Sequence, residues 1–131
     1  KWKSYIFFLF LLFIPNFIFS FGNWIEYHKE GSETIYYFKD VKKSNGIITF
    51  YNMVDNKRPN EKGIYCTIDK REASCKDFSL KYLEFKFFYG PLCIGSPDSV
   101  PSDMIKRLSW KKNSPESVDF KIIKRLCARY K

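Results

Sequence analysis

Histidine occurs once in the 131 residues, at His28. A lone imidazole with no nucleophile or ligand pair beside it offers neither a general base nor a metal site, so His28 reads as an ordinary strand-end residue. No two cysteines stand in C-x-x-C spacing, which excludes the common structural-zinc arrangements. A G-x-S-x-G elbow and a glycine-rich phosphate loop are both missing. Acids are scarce, 14 Asp+Glu against 23 Lys+Arg, for a formal charge of +9. The acids Glu26, Asp40, Asp55 and Glu84 are scattered over separate segments and form no paired-carboxylate signature. Internal repeats are absent as well. These absences leave no catalytic residue, no cofactor-binding residue and no metal ligand to nominate.

What is present begins with a basic, apolar, small-residue sequence of segments. Lys1 and Lys3 precede the run YIFFLFLLFIPNFIF from Tyr5 to Phe19, which only Pro15 and Asn16 interrupt. Ser20-Phe21-Gly22 then places small residues at −3 and −1 of a cut between Gly22 and Asn23. This is the layout of a secretory signal peptide over residues 1–22, with a cut after Ser20 as the neighbouring alternative and an uncleaved anchor as the rival. The run is short for a spanning helix and carries a helix breaker. The first cysteine is Cys66, so no lipid-attachment cysteine stands at the cut. Residues 23–131 would form one mature domain with no membrane span, periplasmic or secreted, that keeps +7 of the charge.

All four cysteines, Cys66, Cys75, Cys93 and Cys127, fall in that domain. An even count behind an export signal reads as two disulfides, and a domain of this size gains from such staples. Spacing leaves the connectivity open. A hairpin turning at Lys70-Arg71 would set Cys66 opposite Cys75.

The patterning between the cysteines is mostly β. Segments 23–29, 34–41 and 47–55 alternate and are rich in aromatic and β-branched residues, so they read as strands. The segment 42–46 reads as a turn around Asn45-Gly46, a strong hairpin signal. Residues 63–69 read as a fourth strand, Lys70-Arg71 as a turn, and Glu72–Lys76 as a stretch that pairs back. Leu80–Tyr89 reads as a strand with Leu83, Phe85 and Phe87 on one face and Tyr82, Glu84 and Lys86 on the other. Residues 90–109 hold two glycines and three prolines and no period, which predicts a long loop with one helical turn near 103–108. Ser114-Pro115 reads as a helix start, and Val118, Ile122, Leu126 and Tyr130 recur at four-residue spacing. The expected fold is α+β: a twisted antiparallel sheet of five or six strands, with a C-terminal helix packed on one face, stapled by disulfides.

The order of landmarks resembles the surface-adhesin protein E-like family of small exported bacterial proteins. It runs from a tryptophan strand (Trp24-Ile25-Glu26-Tyr27) through a tyrosine-rich strand (Ile35-Tyr36-Tyr37) to Met53-Val54-Asp55 before a proline-containing loop. Cys75 then precedes Phe78, Leu83, Phe85 and Phe87. Trp110 follows the long loop, and Pro115, Ser117 and Cys127 mark the terminal helix. The resemblance spans Trp24 to Cys127. It implies a sheet packed on a C-terminal helix, a Cys75–Cys127 bridge that leaves Cys66–Cys93, and a role in adhesion to host matrix proteins. The chain departs from the family in its extra pair, Cys66 and Cys93, and in lacking the lipid-attachment cysteine.

Together these readings give an exported, non-enzymatic binding module. The expected partner is an envelope or extracellular protein, or a polyanionic surface, met through the open sheet face or the 90–109 loop. No nucleic acid is expected, and a homodimer is allowed. Two other classes stay in view: an envelope hydrolase using sheet-face carboxylates, and a structural protein that self-associates through an edge strand.

Overall fold

The computed structural model describes residues 22–130. The expected signal segment therefore lies outside the described residues, apart from Gly22. Six antiparallel strands pair in chain order: β1 (Ile25–Glu30), β2 (Thr34–Ser44), β3 (Ile47–Asn56), β4 (Cys66–Ser74), β5 (Leu80–Phe88) and β6 (Asp98–Ser99). A 3-10 turn at Pro91–Cys93 and helix α1 (Ser102–Lys106) lie between β5 and the terminal helix α2 (Val118–Arg129). The fold is α+β, one twisted sheet with a C-terminal helix on one face and two disulfides.

The β2–β3 hairpin follows from Asn45-Gly46. Both residues take left-handed φ, 51° and 74°, as a two-residue turn matched to strand twist requires. β2 runs on to Ser44, so Lys42 and Lys43 are strand residues and not part of the turn. Three of the sequence-based expectations fail here, each for a physical reason. Lys70-Arg71 is not a turn: β4 is continuous from Cys66 to Ser74, because Asp69 and Arg71 neutralise each other inside the sheet and need no exposure. Cys66 consequently pairs with Phe88, one full strand away from Cys75. Within β5, a register shift at Leu83 puts Tyr82 on the same face as Phe85, where uninterrupted alternation would have separated them. Finally, α2 starts at Val118. Its N-cap is Ser117, whose hydroxyl accepts from the Phe120 amide, while the Ser114 carbonyl accepts from Ser117 in a preceding turn.

Two cores lie on opposite faces of the sheet. On the helix face Phe38, Ile48, Phe50, Ala73 and Leu80 meet Ile122, Ile123 and Leu126. Phe78 reaches this layer from the β4–β5 turn at φ 59° and stacks edge-on against Phe120 at 5.0 Å. On the other face Tyr37, Met53, Cys66 and Phe88 form a smaller core, flanked by Trp24, Ile35, Tyr65 and Cys93. Each core has its own staple. Cys75–Cys127 joins the end of β4 to α2, and Cys66–Cys93 joins the start of β4 to the segment after β5.

Both sheet edges are protected. The β5 edge is covered by β6, by α1, and by a two-way backbone pairing of Leu80 with Lys111. The β1 edge carries a bulge between Glu26 and His28 and three exposed charges, Glu26, Lys29 and Glu30. Both devices discourage edge-to-edge pairing.

Candidate functional site

The polar groups that converge under α2 form a clamp. Tyr27 donates to Asn52 Oδ1 at 2.6 Å, and Asn52 donates to Asp69 Oδ2 at 3.2 Å. Arg71 gives two bonds to Asp69, at 2.6 and 2.8 Å, and a third to Asp119 in the first turn of α2 at 2.7 Å. Its guanidinium sits 5.7 Å from the Phe50 ring centroid and 5.4 Å from that of Tyr82. Burial alone would lower the Arg71 pKa, but the Asp69 and Asp119 carboxylates more than reverse this and drive it up. Burial pushes the Tyr27 phenol far up, so it remains a neutral donor. Both carboxylates are held by one arginine, and Asp69 is closed off from solvent. The arrangement fastens helix to sheet and leaves no free base.

His28 lies beside this clamp, at a shallow cleft with Tyr27, Val118, Lys121, Ile122 and Arg125. Its Nε2 is 3.8 Å from Glu30, and its ring packs edge-on to Tyr36 at 5.4 Å. Among the described residues no three His, Cys, Asp or Glu side chains group as a metal site.

The opposite face is the more open one. Its strand register sets side chains in rows. Ile35, Asp55, Cys66 and Phe88 form one row, and Tyr37, Met53, Ile68 and Lys86 the next. These rows lie in the smaller core or beside it. Beyond them come Lys39, Tyr51, Lys70 and Glu84, then Lys42, Thr49, Glu72 and Lys81. No apolar residue of either core sits in these last two rows. The Lys39 ammonium lies 4.5 Å from the Trp24 ring centroid and 5.7 Å from that of Tyr51; Lys70 flanks Tyr51 from the next strand at 5.6 Å. Sequence patterning does not pick out the Lys39–Tyr51–Lys70 row, because only the pairing register brings those three together.

The segment from Tyr89 to Lys112 is the second surface. Tyr89, Leu92, Ile94, Met104, Leu108 and Trp110 are exposed. Leu92 and Cys93 both take left-handed φ, 59° and 55°, and the Cys93 bridge holds them there. Asp55 also fixes this turn by accepting from the Leu92 amide at 2.8 Å. Burial raises the Asp55 pKa, and that amide bond offsets part of the rise. Of the three other acids read as scattered, Asp40 and Glu84 lie on β2 and β5 of the open face and Glu26 on the β1 edge. Gly22 and Asn23 lie in a turn just before β1.

Comparison with known proteins adds three findings. A family model described as surface-adhesin protein E matches residues 24–128. The crystal structure of protein E from non-typeable Haemophilus influenzae is similar at 13% identity and a TM-score of 0.48, covering 81% of this chain and 84% of that one. No curated protein sequence matches.

Proposed function

This chain belongs to the surface-adhesin protein E family, and on that premise we propose that it is an exported, non-enzymatic binding module of the bacterial envelope. The observation that carries the reading is the family match over residues 24–128, which takes in the whole described sheet and all of α2 but its last residue. Two disulfides fit an oxidising compartment. The module acts from residues 23–131 after the signal peptide is cut between Gly22 and Asn23. N-terminal sequencing of exported protein beginning at Asn23 supports this; full-length chain retained in the membrane refutes it.

Binding uses the side of the sheet away from α2 and the Tyr89–Lys112 segment. Exposed aromatic and aliphatic side chains suit a protein surface, and the lysine rows suit an acidic one. A hydrolase of the paired-carboxylate kind would need two neighbouring acids free of other partners. Asp69 and Asp119 both hold Arg71 instead, and the open-face Asp40 and Glu84 stand on β2 and β5 with two strands between them. The test is retention of envelope and extracellular-matrix proteins by the oxidised domain. Saturable retention, unchanged in His28→Ala, supports the reading. Turnover of an envelope substrate that His28→Ala abolishes would overturn it.

A further inference from the structure

The bulge in β2 gives the open face a feature that a plain sheet lacks. Asp40 and Val41 together stand opposite the single residue Phe50. Val41 packs into the helix-side core, while Asp40 is exposed and takes φ 54°, a region that residues with a Cβ avoid. Bulges of this kind re-aim side chains at functional surfaces. Beside it lies a depression of 520 Å³ at the bulge and its partner Phe50, whose polar lining is Asp40, Lys42, Thr49, Tyr51 and Lys70.

The chemistry of the lining is selective. Lys39 and Lys70 are held against Tyr51, one from each neighbouring strand, and Lys42 follows Lys39 across the bulge. Among the described residues none of these three lysines is within ion-pair distance of a carboxylate. A ring face holds an ammonium in place without cancelling its charge. The sheet therefore spaces Lys39 and Lys70 roughly 10 Å apart across two strand intervals, with Glu84 opposite Lys70 at the β5 end of the row and Glu72 opposite Thr49 in the next. Asp40 would repel a simple anion, yet its carboxylate accepts hydrogen bonds from hydroxyl groups, as does Thr49. The ligand that satisfies both features carries negative charge and hydroxyls together. A lipid surface fits poorly, because the exposed Leu92, Ile94, Met104, Leu108 and Trp110 belong to another segment.

We propose that the depression between Asp40 and Lys70 is a subsite for an acidic polysaccharide, with one uronate or sulfated sugar seated between Lys42 and Lys70 and the chain continuing past Lys39. This rests on the binding-module reading and gives it a ligand class.

The test is surface plasmon resonance of oxidised residues 23–131 on immobilised heparin. The parent binds in a salt-dependent manner. Lys42→Ala/Lys70→Ala weakens binding about tenfold, the ratio that 1.4 kcal/mol represents. Lys121→Ala/Lys124→Ala removes equal charge from exposed positions of α2 and stays within about twofold, as a change outside the site should. Equal losses from both pairs would mean that net charge alone is being read, and would overturn the subsite. So would equal binding, through the same two lysines, to poly-glutamate or to vesicles of equal parts phosphatidylcholine and phosphatidylglycerol. Retention of matrix proteins without heparin binding sinks the polysaccharide inference and leaves the binding-module reading intact. Absence of both sinks that reading too.

Discussion

Replacing Arg71 with methionine should unfold the helix–sheet clamp more severely than any other single charge deletion. The side chain is 3% exposed and gives three hydrogen bonds to two carboxylates. Methionine keeps the apolar stem against Phe50 and Tyr82 but leaves Asp69, itself 2% exposed, as a buried anion with only Asn52 as a donor. Breaking a buried pair from one side costs about 3–5 kcal/mol, because the stranded charge retains its full desolvation penalty. At an m-value of about 1.5 kcal/mol per M, the urea midpoint falls by about 2–3 M with the slope unchanged. Two comparisons isolate the cause. Asp69→Asn/Arg71→Met removes the stranded charge and should recover part of the loss. Arg58→Met breaks an exposed pair with Glu33 at 3.5 Å and should cost less than about 1 kcal/mol. If Arg71→Met costs no more than Arg58→Met, the clamp contributes no more than a surface contact and the reasoning fails.

Leu126 is fully buried on α2, so Leu126→Ala should cost about 2–5 kcal/mol by chemical denaturation, against about 0.5 kcal/mol or less for exposed Lys124→Ala. Burial raises the Asp55 pKa in the fold, so its contribution to stability is full below the ordinary carboxylate value and fades as pH rises through the raised one. Asp55→Asn should flatten that decline when urea midpoints are compared from about pH 4 to about pH 7; an unchanged slope would refute it. Removing the Cys66–Cys93 bridge, whose partners are 27 residues apart, should cost about 3.5 kcal/mol on the chain-entropy account; removing Cys75–Cys127, at 52, should cost about 4. Calorimetry of the two double-serine variants checks the order.

The elements with simple periodicity were legible from residues alone. The Asn45-Gly46 hairpin and the Ile122–Leu126 stripe on α2 needed only turn chemistry and helical spacing. The centre of β4 was not legible, because two of its helix-face residues are charged. Asp69 and Arg71 sit two apart on one face and satisfy each other, so a hydrophobicity pattern reads them as a solvent-exposed break. The mixed faces of β5 were hidden by one extra residue at Leu83, which no composition signal marks. At the helix start, Ser114-Pro115 carried a stronger local signal than Ser117, but the Ser117 hydroxyl caps the Phe120 amide and Phe120 stacks on Phe78, a tertiary contact the sequence does not mark. The lysine–tyrosine row was hidden for a different reason. Its members lie on β2, β3 and β4, and only the register joins them.

One staple starts at the first residue of β4 and the other at the residue just after its end, and this shapes how the domain answers a pull on its two termini. Tension arriving from β1 to β3 enters at Cys66 and can leave through Cys75 straight into α2 at Cys127. The short route runs along the nine residues Cys66–Ser74, and residues 76–126 are bypassed. That strand is hydrogen-bonded on both sides, to β3 and to β5. Under shear, the β1–β3 meander can therefore peel away strand by strand while α2, β5 and the Tyr89–Lys112 segment stay covalently gathered around β4. A surface held by that segment keeps its grip after part of the sheet has yielded, whereas a ligand on the Lys39–Tyr51–Lys70 row is released when β2 and β3 separate from β4.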